Sequence, residues 1–150
     1  MKIQILTVGR KHEPWVESGI GRFLERLRGP FDAEFEFIPH SGKAGLKAAE
    51  EESERILRRL KPGCYVVLLD ERGKNISSPE LSEVITKNNF RQTIFVIGGA
   101  YGVTSELRDR ADLVWSLSRL VFPHQLVRLI LAEQLYRTQE IAAGRSYHHD

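Results

Sequence analysis

Apolar residues occur in this chain in two patterns, as short continuous runs and as longer stretches with helical spacing. Continuous runs of about four to eight residues bounded by turn residues are typical of strands. Such runs predict strands at 2–8, 65–69, 93–97 and 113–115, and the alternating segment 34–39 predicts a further strand. The run at 65–69, YVVLL, is apolar throughout, which indicates a strand buried on both faces of a parallel sheet.

Stretches with helical spacing separate and follow these strands. They predict helices at 14–27, 43–60, 77–88, 104–110 and 123–143. The alternation of strand and helix predicts an α/β fold, with a mostly parallel sheet and helices on both faces. The chain shows neither an internal repeat nor a linker, so we predict a single domain over residues 1–150.

Ligands of open sheets in this class bind outside the carboxyl ends of the strands. The loops that follow Leu69, Ile97 and Trp115 are therefore the predicted site. The first of these loops begins with Asp70–Gly73, which we expect to end its strand directly after Leu69.

Neither a membrane span nor a signal peptide is predicted. No apolar run approaches the roughly 18 residues that a membrane span needs. The N-terminal apolar run soon meets Arg10 and Lys11 and lacks a small-residue cleavage site. Cys64 is the only cysteine, which excludes an internal disulfide and a multi-cysteine zinc site and fits a reducing, cytoplasmic setting.

The overall charge gives no support for non-specific nucleic-acid binding. Lys and Arg together number 22 and Asp and Glu number 20, which leaves a formal net charge of +2. Proteins that bind DNA without specificity are usually far more basic. Any basic surface of this protein must therefore be local.

A glycine-rich turn, with Gly98, Gly99 and Gly102, follows the fourth predicted strand. Glycine allows positive φ and lets a ligand approach main-chain groups closely. The turn is therefore a candidate ligand site, although a strand-to-helix turn that needs glycine only for its geometry is an equal alternative. The chain contains neither GxGxxG nor GxxxxGK[ST], which argues against nicotinamide dinucleotides and nucleoside triphosphates.

The loop 116–122, SLSRLVF, is unusually apolar for a connection between a strand and a helix. Exposed apolar surface costs free energy unless something covers it. Three alternatives remain for what covers this loop: the flat ring of a ligand, a partner subunit, or the protein's own core.

The final predicted helix, 123–143, has apolar residues on more than one face. Leu126, Leu129 and Ile130 form one apolar stripe. Val127, Leu131 and Leu135 widen this stripe sideways. A surface helix needs only one stripe about 100° wide. We therefore expect the sheet on one side and a partner on the other, most simply in a symmetric homodimer. The alternative is a helix buried centrally in a monomer.

Polar residues on and after this helix are candidates for chemistry. Glu133 and Arg137 have i,i+4 spacing, which indicates an ordinary salt bridge of about 0.3–0.5 kcal/mol or a pair drawn into an interface. His124 lies in the first turn of the helix. His148 and His149 lie near the chain end, where such a pair is usually a solvated tail, and no metal-ligand spacing accompanies them, so we predict no metal.

Several segments together resemble a known family. They are MKIQILTVGRK, the LLD at 68–70, IGGAYG at 97–102, WSLSRLVFPHQLVRLILAEQLYR at 115–137 and the terminal YHH. The chain resembles the small bacterial SPOUT-class methyltransferases that modify large-subunit ribosomal RNA. The resemblance covers essentially the whole chain, and its C-terminal segment is long and specific.

The resemblance implies a fold and a cofactor that spacing does not show. It implies a C-terminal trefoil knot, S-adenosylmethionine (S-adenosyl-L-methionine) bound bent within that knot, and a homodimer with the active site between its subunits. Carried over by position, the cofactor contacts are Leu69, Gly98, Gly99, Leu117, Ser118, Arg119, Leu120, Val121 and Phe122.

The resemblance also implies an RNA-side site at the chain end. The family commonly ends in PYHRE, and this chain ends in SYHHD. Tyr147 and His148 match that pattern, whereas His149 stands where the family has a basic Arg. This difference puts a positive RNA contact at the tail in doubt or makes it dependent on pH. Arg128 is a further candidate for the RNA side.

The implied reaction is methylation of N3 of a pseudouridine in 23S rRNA. The N3–H must lose its proton, so a general base or a cation that stabilises the resulting anion would help. His124, Glu133 and His148 are the candidate proton acceptors, and Arg137 is a candidate stabiliser. These catalytic candidates stay unranked.

Because the excess charge is small, we expect the protein to recognise folded RNA within the assembled ribosome, where shape and an unstacked loop base dominate recognition. Two alternatives to an S-adenosylmethionine-dependent rRNA methyltransferase remain. One is an α/β enzyme that uses another nucleotide cofactor at the glycine turn. The other is a non-catalytic module that binds RNA or the ribosome.

Overall fold

A computed structural model of the chain describes residues 2–149; Met1 and Asp150, the last residue of SYHHD, lie outside the described residues. The strands are β1 Ile3–Val8, β2 Ala33–Ile38, β3 Tyr65–Lys74, β4 Thr93–Ile97 and β5 Leu113–Trp115. The helices are α1 Pro14–Leu24, α2 Gly45–Leu57, α3 Ser78–Lys87, α4 Ser105–Arg110 and α5 His124–Ala142.

The strands form one parallel sheet in the order β2-β1-β4-β3-β5. Ile97, the last residue of β4, pairs with Thr7 of β1 on one side and with Leu69 of β3 on the other. The carboxyl ends of these strands therefore meet at one edge. The predicted parallel α/β sheet is confirmed.

Helices cover both faces of the sheet. One core cluster joins β1, β3 and β4 to buried residues of α3 and α5, such as Leu81 and Leu131, and α1 packs on α5. A second core cluster joins the other faces of the same strands to Ile56 of α2 and Leu107 of α4. The strands are thus buried on both faces, which is why YVVLL and its neighbours are continuously apolar.

β3 continues past Leu69, where the sequence predicted its end. It runs through the polar segment after Leu69 to Lys74, and Lys74 pairs with Trp115 of β5 after a break in register. A Cβ on Gly73 would lie 2.5 Å from the Val114 carbonyl oxygen. The prediction of a strand end was wrong because pairing with β5, and not residue type, decides where β3 ends.

Two predicted helix starts are confirmed by their caps. Ser77 and Glu80 form a reciprocal capping box at α3, and Thr104 accepts a hydrogen bond from the Leu107 amide at α4. Two large apolar residues within the predicted helices 14–27 and 43–60 are exposed, Trp15 by 58% and Leu46 by 71%. The buried residues of α2 are Ala48, Ala49, Glu52, Ser53 and Ile56.

No helix among residues 2–149 is both long and apolar enough to cross a membrane. The predicted trefoil knot depends on how the chain threads through itself, and it stays a prediction.

Candidate cofactor cleft and terminal cluster

A cleft of about 1040 Å³ opens at the carboxyl edge of the sheet. Its walls come from the ends of β1, β3, β4 and β5, from the turn at 98–103 and from the loop 117–122, and the first turns of α5 form part of its floor. This is the position at which open parallel sheets bind ligands. The strand-end site predicted from the sequence therefore corresponds to a real concave surface.

The predicted cofactor residues converge on this cleft. Those that line it are Leu69, Gly98, Gly99, Leu117, Ser118, Leu120, Val121 and Phe122. Arg119, the remaining member of the predicted set, is exposed and does not line the cleft. The two loops named by the sequence thus form two walls of one site, although they are separated along the chain by α4 and β5.

The glycine turn approaches its neighbours too closely for side chains. A Cβ on Gly98 would lie 2.7 Å from Val103 Cγ1. A Cβ on Gly99 would lie 3.2 Å from Val8 Cγ1 and would overlap the Glu52 carboxylate. Backbone of the turn is therefore open to the cleft because these two residues have no side chain.

The apolar loop divides into a covered and an exposed part. Leu117 is half-buried and packs against the core, whereas Leu120 is 69% exposed and Val121 is 80% exposed. Ser118 steadies the bend between them, because its hydroxyl accepts a hydrogen bond of 3.0 Å from the Leu120 amide. The protein's own core therefore covers only the start of the loop.

His124 connects α5 to the glycine turn. Its Nε2 lies in short contact with the Gly98 carbonyl oxygen, and a carbonyl only accepts, so Nε2 carries the proton. Burial lowers the pKa of His124; the Gly98 carbonyl and the Glu52 carboxylate oppose this shift, and the Arg128 guanidinium adds to it. His124 is therefore a neutral donor at pH 7 that fixes the end of β4.

Arg128 lies one helical turn further along α5 and is 1% exposed. Its guanidinium donates to the Thr7 hydroxyl at 3.1 Å, to the Arg10 carbonyl at 2.8 Å and to the Val8 carbonyl at 3.4 Å. These bonds fix the end of β1 beside the cleft. An RNA contact by Arg128 stays a prediction, and in this chain its donors bind protein acceptors.

Glu133, Arg137, Tyr147 and His148 form a second polar group, which we call the terminal cluster. Arg137 Nη2 pairs with Glu133 Oε2 at 2.7 Å, and the Tyr147 hydroxyl donates to the same oxygen at 2.9 Å. Arg137 Nη1 lies 3.1 Å from His148 Nδ1, and its guanidinium lies 4.8 Å from the Tyr147 ring centroid. The chain end is therefore folded onto the C-terminal half of α5.

Electrostatics favour the protonated forms of Arg137 and Tyr147 in the terminal cluster. The Glu133 hydrogen bond raises the pKa of Arg137, so its guanidinium stays charged. Burial, together with the hydrogen bond to Glu133, raises the pKa of Tyr147 and keeps its hydroxyl protonated. His149 is exposed beside this cluster. The cluster therefore presents a fixed cation, an aromatic ring and an imidazole.

The cleft and the terminal cluster are apart within one chain. Nine residues separate His124 from Glu133, which corresponds to about 13 Å along a helix axis and about half a turn around it. The catalytic candidates thus divide into His124 at the cleft and Glu133, Arg137 and His148 at the cluster.

Two acidic residues of the cleft were missed by the sequence reasoning. Asp70 pairs with Arg108 at 3.2 Å and accepts from the Arg72 amide at 2.9 Å. Burial raises the pKa of Asp70, and the hydrogen bonds from Arg72 and Arg108 outweigh that effect and lower it. Glu52 of α2 is 4% exposed on the opposite wall. The sequence signal that could have identified Glu52 is an acidic residue on the apolar side of α2.

Comparison with known proteins identifies the family. A family model described as "Predicted SPOUT methyltransferase" matches residues 1–148. The protein named ribosomal RNA large subunit methyltransferase H from Geotalea daltonii is 41% identical over 153 residues, 99% of this chain and 100% of that protein. The protein of the same name from Gloeobacter violaceus is 37% identical over 150 residues, 99% of each chain.

Solved structures at lower identity agree on the fold. A probable methyltransferase from Bordetella pertussis Tohama I has a TM-score of 0.58 at 12% identity, covering 91% of this chain and 93% of that chain. The SpoU methyltransferase AviRb from Streptomyces viridochromogenes, solved with AdoMet, has a TM-score of 0.50 at 15% identity, covering 94% and 58%.

The fold and the cleft are those of an α/β methyltransferase, and the chain belongs to the SPOUT methyltransferase family. SPOUT methyltransferases use S-adenosylmethionine, so the predicted enzyme class and cofactor are confirmed. The residues of the cleft fit that cofactor. Leu69, Leu117 and Leu120 offer apolar surface for an adenine ring, the glycine turn exposes backbone, and Glu52 offers a buried carboxylate oxygen.

Proposed function

We propose that this chain methylates large-subunit ribosomal RNA, at N3 of a pseudouridine in 23S rRNA, on the assembled ribosome in the cytoplasm. The observation that carries the proposal is the near-complete match to relatives named ribosomal RNA large subunit methyltransferase H. The particular nucleotide and position come from the family resemblance of the C-terminal segment.

The active form is proposed to be a homodimer. Leu126, Ile130, Glu133 and Arg137 share one face of α5 by helical spacing, and all four are only half-buried in the single chain. This face turns away from the chain's own cleft. A second copy packed on it would cover apolar surface and bring the terminal cluster of one subunit towards the cleft of the other.

Such a dimer would complete a site that one chain leaves divided. The cleft supplies the cofactor walls, and the terminal cluster supplies a cation and an imidazole. Loop residues Leu120 and Val121, exposed here, would lie at the junction of the two. This arrangement favours a ligand and a partner subunit, and not the protein's own core, as the groups that cover the exposed part of the apolar loop.

Bound S-adenosylmethionine supplies an electrophilic methyl group. The remaining requirement is to position the pyrimidine ring and to remove the N3 proton while the new bond to nitrogen forms. Arg137, held by Glu133, is placed to stabilise the negative charge on the deprotonated imide and its carbonyl oxygens. We assign Glu133 to positioning, since its oxygens already bind Arg137 and Tyr147.

The proton acceptor is proposed to be an imidazole. The Nδ1 of His148 faces the donating Arg137 guanidinium, whereas His124 uses Nε2 on the Gly98 carbonyl. Neither geometry ranks one above the other. Tyr147 and His149 are proposed to contact the RNA beside His148.

A local basic rim supports binding of RNA at the cleft. Arg10 and Arg119 are exposed after the ends of β1 and β5, and Arg72 is exposed in the polar last part of β3. Side chains of this type contact phosphates and fix the position of a nucleic acid. We propose that this rim binds the phosphates around the target nucleotide.

Mass spectrometry of ribosomal RNA nucleosides tests the function. A strain that lacks the gene should lose one methylated pseudouridine, and the wild-type gene should restore it. An unchanged methylation map would contradict the proposal and favour a non-catalytic ribosome-binding module. The purified protein should also methylate ribosomes faster than a free RNA stem-loop; equal rates would contradict recognition of the assembled particle.

Calorimetry addresses the other alternative, a different nucleotide cofactor. S-adenosylmethionine should bind, and NAD and ATP should not. Family membership already favours the methyltransferase over this alternative.

A further inference from the structure

Glu52 is the buried acidic group that the proposed reaction has not yet used. It lies on the inner side of α2 and is 4% exposed. Its Oε2 accepts a hydrogen bond of 2.8 Å from the Ser41 amide. Its Oε1 has no hydrogen-bond partner within residues 2–149. A buried carboxylate oxygen without a donor is costly, which indicates that a donor is supplied from outside the chain.

The unpartnered oxygen lies behind the glycine turn, in a residue that lines the cofactor cleft. A Cβ on Gly99 would overlap Oε1, so the carboxylate lies directly against the backbone of the glycine turn. Glu52 lines the cleft, and its charge acts on His124 at the base of that turn. The next residue, Ser53, accepts a hydrogen bond of 3.0 Å from the Thr104 amide, which ties α2 to the far end of the same turn.

The other carboxylates near this position are already occupied. Asp70 is paired with Arg72 and Arg108. Glu51, adjacent to Glu52 on α2, is paired with Lys43 at 2.6 Å and bonded to the Ser41 hydroxyl at 2.6 Å. Glu52 is therefore the one carboxylate of these three that has a buried oxygen without a hydrogen-bond partner among residues 2–149.

S-adenosylmethionine carries a primary ammonium group at its methionyl end, and an ammonium offers three strong donors. We infer that Glu52 Oε1 binds this ammonium and so fixes the methionyl end of the cofactor against the glycine turn. This inference rests on S-adenosylmethionine as the cofactor. A charge-assisted hydrogen bond in a water-poor wall is strong and directional, which suits positioning of the adjacent sulfonium for in-line transfer.

The test measures, by calorimetry, the binding of three probes to the Glu52→Gln variant and to the matched control Glu51→Gln. The probes are S-adenosylhomocysteine, its analogue without the amino group, and 5′-methylthioadenosine, which lacks the whole amino-acid portion. Glu52→Gln keeps an acceptor for the Ser41 amide but loses the charge. We expect this variant to lower the affinity for S-adenosylhomocysteine by about ten- to hundredfold. Its affinity for the other two probes should fall by less than about twofold. Glu51→Gln should leave all three unchanged.

Several outcomes would overturn the inference. An equal loss of affinity for all three probes would mean that Glu52 contacts the ribose or supports the glycine turn. Unchanged binding of S-adenosylhomocysteine would show that Glu52 does not touch the cofactor. Failure of the wild-type protein to bind S-adenosylhomocysteine would instead contradict the cofactor assignment, which separates the two claims.

Thermal melting and steady-state kinetics provide a second readout. Glu52→Gln should melt within a few degrees of the wild type, should raise KM for S-adenosylmethionine and should lower kcat/KM. A large loss of Tm with unchanged KM would identify Glu52 as a structural residue only and would contradict the inference.

Discussion

The two halves of α5 use their polar residues in opposite ways. In the N-terminal half, His124 and Arg128 point inwards and bind the ends of β4 and β1. In the C-terminal half, Glu133 and Arg137 point away from the cleft and hold the chain end through Tyr147. One helix therefore builds the floor of its own cofactor cleft and displays a separate cluster on another face.

This difference explains why the catalytic candidates could not be ranked as a single set. His124 is half-buried, neutral at pH 7 and bonded to backbone, whereas the terminal cluster is half-exposed and contains the charged Arg137. A helix face is set by 100° steps, so residues nine apart point in opposite directions. The inward residues support one chain, and the outward ones are available to a second chain or to RNA.

The largest expected effect is on the outward cluster. Arg137→Gln removes the cation and should lower kcat about 10²–10³-fold, as expected for loss of one group that stabilises a developing anion. Cofactor affinity should stay within about twofold, because the cluster lies outside the chain's own cleft. Rapid-quench methylation and calorimetry measure the two. Arg58→Gln, which breaks the exposed Arg58–Glu54 pair on α2, is the matched control. Equal activity of both variants would assign Arg137 to an ordinary salt bridge.

Gly98→Val should act on the cleft instead. The added Cβ would meet Val103 Cγ1, and the side chain would displace the turn that exposes backbone to the cofactor. We expect affinity for S-adenosylmethionine to fall by about ten- to hundredfold. Gly21→Val in α1 is the control, since nothing lies within 4 Å of a Cβ there. Normal binding by Gly98→Val would contradict the placement of the cofactor.

Arg128→Met should weaken the fold beside the cleft. It leaves the Thr7 hydroxyl and the Val8 and Arg10 carbonyls without their buried donor. The expected loss of unfolding free energy is about 1–3 kcal/mol, measured by urea denaturation. An unchanged midpoint would show that water replaces the guanidinium, and a selective loss of RNA affinity would return Arg128 to the RNA side.

His124 should make stability depend on pH. Its folded pKa is below the ordinary value of 6.5, so under acid conditions the unfolded chain binds a proton that the folded chain does not. Stability is therefore full above about pH 6.5 and falls as the pH drops towards the folded pKa. His124→Gln should reduce the fall in Tm between about pH 7.5 and about pH 5.5, with exposed His149→Gln as control. His12 shifts in the same direction, so part of the fall should remain.

The smallest effect is expected from His149→Arg. This variant restores the basic residue typical of the family at the exposed position next to His148. One added phosphate contact should steepen the slope of log affinity against log salt by roughly 0.7–0.9. Filter binding to ribosomes at pH 8 measures it. An unchanged slope would mean that position 149 lies away from the RNA phosphates.

Much of the fold could be predicted from the sequence because it depends on local patterns of residue type. Continuous apolar runs mark strands buried on both faces, and side-chain caps such as Ser77 and Thr104 mark helix starts. The end of β3 was not readable, because partner strand β5 extends it through polar residues to Lys74. The exposure of Leu46 was not readable either, because helical spacing defines an apolar face but not which residues of that face meet the sheet.

The sequence by itself determined the alternation of elements, the strand-end loops and the family resemblance, since each is carried by residue type at fixed spacing. Tertiary structure alone decided that Arg128 is a buried support, that Arg137 joins Tyr147 and His148, and that Glu52 retains an unpaired oxygen beside Gly99. The physical reason is that burial and hydrogen-bond partners depend on which distant segments meet. Glu51 and Glu52 are identical and adjacent in the chain, and only the packing of α2 makes one a surface ion pair and the other a wall of the cleft.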